Sequence, residues 1–137
     1  MKYKLEKADY IPETGISQAM VSTKKGNFFG YAQCHPEEEF PSHFAGCRLA
    51  ESRALLKAVQ FEKNMINVKI QELKNFEKIL KSLKDYNPHS VEARRLRRRI
   101  HELKEERLKY LNFIIDIKQG IKATMDKRDA YLAKKAK

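Results

Sequence analysis

From Ser42 to Asn87 the chain contains no proline, and after Pro88 it contains none at all. Two such stretches, with Gly46 as the one glycine in the first, leave little for residues 42–137 to be except long helix. The second stretch also carries a heptad. Leu96, Ile100, Leu103, Arg107, Tyr110, Ile114, Ile117 and Ile121 alternate spacings of four and three. A period of 3.5 keeps one seam turned toward a partner helix. In the first stretch Leu49, Leu56, Val59, Ile66, Ile70, Leu73, Phe76, Leu80 and Leu83 supply the matching apolar positions. The pair Asn87-Pro88 marks the turn. Proline cannot continue a helix but suits the first position of the next. The expectation is one helix over about 42–86 with Ser42 as its N-cap, a second over about 88–133, and a short connection that makes them antiparallel neighbours.

Residues 1–41 read differently. ISQAMVST and NFFGYAQC flank Lys24-Lys25-Gly26, with Asn27 following, and glycine and asparagine tolerate the positive φ of a tight hairpin turn. In the second run Phe28, Gly30, Ala32 and Cys34 share one face. YKLEKADYI is a candidate third strand, set apart by Pro12 and Gly15. A lone hairpin is marginal, so this sheet needs the start of the first helix to pack on. The expected class is α+β, mainly α: a small antiparallel β-unit with an acidic connector over 1–41, then a two-helix coiled-coil hairpin over 42–137.

Charge is unevenly distributed. Residues 1–40 carry 5 basic and 6 acidic groups, 41–86 carry 9 and 5, and 87–137 carry 15 and 7, within a formal net charge of +11. The basic surplus therefore sits on the second helix and favours polyanions or acidic protein surfaces. Two cysteines make no disulfide framework. The N-terminus MKYKLEKADY has no apolar core of a signal peptide, and no apolar run approaches the roughly 18 residues of a membrane span. A soluble protein of a reducing compartment is expected, with no membrane partner.

Three clusters are candidates for chemistry. Glu37-Glu38-Glu39 has the charge to hold a divalent cation, but an acidic loop before a helix N-terminus is the plainer reading. Cys34, His35, His43 and Cys47 are the ligand types zinc prefers. Yet adjacent Cys34 and His35 would point to opposite sides of a strand, and the spacing matches no common zinc pattern, so the expectation is no bound metal. The third cluster is Arg94-Arg95-Leu96-Arg97-Arg98-Arg99. Leu96 belongs to the seam, so the five arginines fan over the rest of the helix near the hairpin turn. Their forks pair with phosphate and with carboxylate, and the competing reading is a solvated face bridged to glutamates. No aromatics interleave them, which argues against base stacking there. Lys134 and Lys135 extend the charge at the far end. No phosphate-binding glycine loop, G-x-S-x-G, H-E-x-x-H or paired aspartates occur, so no catalytic residues and no cofactor are expected.

The segment Gly30-x-Ala32-x-Cys34-x-Pro36-x-x-x-Phe40, followed by Gly46-x-x-Leu49-Ala50-x-x-Arg53-Ala54, resembles a pattern in small, mostly uncharacterised bacteriophage and prophage proteins. It covers about 25 residues. Here the acidic connector position is glutamate where those proteins have aspartate, and the arginine run is not typical of them. The resemblance implies a phage accessory protein in the bacterial cytoplasm. It also implies one of two jobs, handling nucleic acid or blocking host defence machinery such as a CRISPR nuclease. The leading expectation is thus a non-enzymatic protein that engages nucleic acid or a nucleoprotein surface through its basic helix. The alternatives are an anti-CRISPR-like inhibitor docking on a host defence protein, and a structural coiled-coil adaptor. A homodimer is compatible with each.

Overall fold

The computed structural model describes residues 3–11, 14–33 and 41–135. Three strands, β1 (Lys4–Ile11), β2 (Ile16–Thr23) and β3 (Gly26–Gln33), precede two helices, α1 (Pro41–Lys81) and α2 (Val91–Lys135). The strands form one antiparallel sheet in the order β1-β2-β3, so the candidate third strand is present. The β2–β3 turn is closed by Thr23, whose Oγ1 accepts from the Lys25 amide at 3.2 Å and donates to the Gly26 carbonyl at 3.1 Å. Gly26 takes the positive φ, +144°. Asn27 lies in β3, paired with Ser22.

The structure divides into two compact units, residues 1–60 with 114–137, and residues 61–113. The β-unit is thus not separate from the helices, because the sheet packs with the first part of α1. Ala19 and Val21 of β2, Ala32 of β3, and Leu49, Ala50, Ala54 and Ala58 of α1 form its core, with Ile121 of α2 packed against them. Gly30 is what permits the approach. A Cβ built there would meet the Ala50 carbonyl oxygen and the Ala54 amide nitrogen, so the strand lies directly on helix backbone. The face expected of β3 is confirmed by buried Gly30 and Ala32 and half-buried Phe28; Cys34 lies outside the described residues.

In the second unit the seam is Ile66 and Ile70 of α1 with Ala93, Ile100, Leu103 and Tyr110 of α2, all buried. Two expected members of the α1 seam are not in it. Phe76 is 56% exposed and Leu83 is 55% exposed. Counted on from Leu73, the buried side of a 3.6-residue helix passes through positions 77 and 80, and Glu77 and Leu80 are indeed half-buried.

The helix ends also differ from expectation. α1 starts at Pro41, which puts Ser42 inside the first turn rather than at the cap. It stops at Lys81, not 86. The Ser82 hydroxyl donates to the Ile79 carbonyl at 2.6 Å, and the Leu83 amide bonds Leu80 three residues back, at 3.2 Å. Such tightened bonds close a helix end. Pro88 does not open α2. The Asn87 side-chain oxygen accepts from the His89 amide at 2.9 Å, and Ser90 is the N-cap, its Oγ accepting from the Ala93 amide at 3.2 Å. Glu92 then complements the helix dipole in the first turn.

Candidate nucleic-acid interface

All five arginines of the run lie on the first three turns of α2, and all are exposed. Ala93, Leu96 and Ile100 occupy the side turned inward, Leu96 half-buried and the others buried. The arginines are not equivalent. The Arg97 guanidinium donates to the Pro88 carbonyl at 2.6 Å and so ties the helix to its preceding turn. Arg99 approaches Glu102 at 3.6 Å, a weak exposed pair. The side chains of Arg94, Arg95 and Arg98 have no hydrogen bond or ion pair with any of the described residues. Their charge is available to a partner.

The structure adds residues that the run alone did not indicate. Lys74 and Glu77 of α1 join Arg97, Ile100, His101 and Lys104 of α2 around an open hollow of about 240 Å³. Glu77 is engaged by Lys81 at 3.7 Å, and His101 by Glu105 at 3.0 Å. The lining thus sets three cations, Lys74, Arg97 and Lys104, against the one carboxylate of Glu77, a surplus that suits an anion. The signal for Lys104 and His101 was their spacing from Arg97, seven and four residues, which puts all three on one side of the helix. Lys74 required the pairing register of the two helices. The whole unit, residues 61–113, carries 14 basic and 8 acidic groups.

The other candidates fare differently. Lys134 is exposed near the end of α2, in the first unit, and the Lys135 side chain lies outside the described residues. Of the zinc candidates, Cys34, His35 and the His43 side chain also lie outside them, as do Glu37, Glu38 and Glu39. Cys47 is a free, half-buried thiol. Among the described residues no group of three or more His, Cys, Asp or Glu side chains is placed to hold a metal, and no helix is long and apolar enough to cross a membrane.

No family model, no curated protein and no solved structure matches this chain.

Proposed function

We propose that this protein is a non-enzymatic binding protein that engages the phosphate backbone of a nucleic acid through the basic face of α2. The observation that carries the reading is the exposure of Arg94, Arg95 and Arg98 without ion partners among the described residues, next to the cationic hollow of Lys74, Arg97 and Lys104. Exposed arginines add little to folding, and a run of five on three turns costs the helix through self-repulsion. A polyanion relieves that repulsion. We infer in addition, from the resemblance noted for residues 30–54, an accessory role of this kind in a bacterial cell, where nucleic acid or nucleoprotein is the natural target. The test is fluorescence anisotropy with duplex and single-stranded oligonucleotides over a salt series. Binding that weakens linearly in log–log form as salt rises supports the reading, and no binding at low salt overturns it.

A second reading has its own observation. The α2 face that carries Arg97, His101 and Lys104 continues into Leu108 and Leu111, 57% and 37% exposed. Cations beside apolar anchors suit an acidic protein surface, as an inhibitor of a host defence protein would require. Leu108→Ser would then weaken binding to that protein, while a nucleic-acid complex would be unaffected.

A further inference from the structure

Phe76, absent from the α1 seam, belongs to a second stripe. Met65, Val68, Phe76 and Ile79 are 43%, 54%, 56% and 62% exposed. They recur on an 11-residue repeat, Met65 to Phe76 and Val68 to Ile79, with Glu72 between. At 3.67 residues per turn that repeat holds one line along a nearly straight helix. α1 therefore has two apolar faces in this unit, and α2 covers the one bearing Ile66 and Ile70.

The stripe is also its own mirror in sequence. Met65, Val68, Glu72, Phe76 and Ile79 are spaced three, four, four and three, the same in either direction. A two-fold interface needs that property, since residue i must meet j while j meets i. Laid antiparallel on its copy about Glu72, the stripe sets Val68 against Phe76, and Met65 against Ile79. The Val68–Phe76 contact joins a smaller side chain to a larger one and the Met65–Ile79 contact joins two of similar size, which gives even layers, and the helix dipoles oppose. A parallel pair would stack Phe76 on Phe76 and Val68 on Val68, in uneven layers. The four exposed side chains present roughly 400 Å² of surface per chain, a patch large enough to be functional on a monomer. With Phe61 and the flanking stems they form the centre of an interface of the roughly 800 Å² per partner that stable complexes use.

We propose that the α1 stripe is the two-fold interface of an antiparallel homodimer centred on Glu72. The experiment combines sedimentation velocity and cysteine cross-linking on the full chain at high salt, in a Cys34→Ser/Cys47→Ser background. A concentration-dependent dimer is expected. Phe76→Glu/Ile79→Glu should be monomeric with an unchanged far-UV circular dichroism spectrum, because both positions are exposed in the single chain. Glu72→Leu should tighten the dimer by about tenfold or more, since it removes a carboxylate facing its own copy. In oxidised samples Glu72→Cys should cross-link to itself. Met65→Cys should cross-link to an Ile79→Cys chain and not to its own kind. A monomer at all concentrations, a dimer that survives Phe76→Glu/Ile79→Glu, or efficient self-cross-linking of Met65→Cys would overturn the proposal.

Discussion

Arg107 of α2 donates a hydrogen bond to the side-chain oxygen of Asn67 on α1, 3.1 Å away across the helix pair. The two residues are equidistant from Asn87, each twenty positions along the chain. The bond therefore records the register in which the helices fold back about the turn. It also explains the one polar position in the α2 heptad, since a single polar residue in a seam fixes register at some cost in stability.

That cost can be measured. Asn67→Ala should lower stability by about 1 kcal/mol, the ordinary net worth of a hydrogen bond. Arg107→Leu completes the apolar seam and should raise the melting temperature. A fall of several degrees for Arg107→Leu in a calorimetric scan would mean that the guanidinium stabilises the pair beyond setting its register.

Gly30→Ala should be far worse than its single methyl suggests. The added Cβ meets the Ala50 carbonyl and the Ala54 amide, and backbone cannot rotate away. Denaturant unfolding should show a loss of about 2–3 kcal/mol, at the upper end for overpacking. A neutral result would mean that the sheet does not sit this close to α1.

Ser17→Ala should stabilise. The Ser17 hydroxyl is fully buried and has no hydrogen-bond partner among the described residues. An unsatisfied buried hydroxyl costs about 1–3 kcal/mol, so its removal should raise the unfolding midpoint. A lower midpoint would point to a partner for that hydroxyl in solution.

Ile114→Asp places a carboxylate at a position only 6% exposed and should cost several kcal/mol, read as a drop in the denaturation midpoint. Ile115→Asp, next to it but 51% exposed, should cost within about 0.5 kcal/mol. Equal effects would mean that α2 does not present the seam described.

For function, Arg94→Gln, Arg95→Gln and Arg98→Gln together remove three charges while keeping helix propensity. On duplex DNA the slope of log affinity against log salt should shrink by about 0.9 for each phosphate that the variant no longer neutralises. The melting temperature should hardly move. An unchanged slope would return the run to a solvated helix face. Arg97 and Arg99 are best left in place, since one ties down the Pro88 turn and the other pairs with Glu102.

Much of the fold was legible because periodicity is a physical signal. The α2 heptad named buried Ile100, Leu103, Tyr110, Ile114 and Ile117, and the alternation in β3 named its inner face. The errors arose where two signals overlapped. Phe76 continues an apolar spacing from Leu73 but belongs to a second stripe that the same helix carries, and Leu83 lies past the end of that helix. Pro88 looks like the first residue of a helix, yet Ser90 and Glu92 two and four positions on carried the stronger cap chemistry. The arginine run was plain in the sequence. Its internal division was not, because whether Arg97 meets a carbonyl and Arg98 meets nothing among the described residues depends on the path of the turn.

Where the sheet meets α1, alanine and glycine have consequences for assembly as well as for fit. Neither has rotamers to freeze, so seating the sheet forfeits almost no side-chain entropy. The attraction that results is dispersion between closely spaced backbone atoms, and that weakens steeply when the gap widens by even an ångström. Beside the Gly30–Ala50–Ala54 contact the Arg53 guanidinium donates to the Tyr31 carbonyl at 2.6 Å and Lys57 lies over the Tyr31 ring, so the same strand is tied to α1 by side chains as well. The close backbone contact and these ties should open together. Amides of β3 and of the adjoining turns of α1 should exchange their hydrogens together, as one cooperative opening, rather than fraying from the strand ends inward.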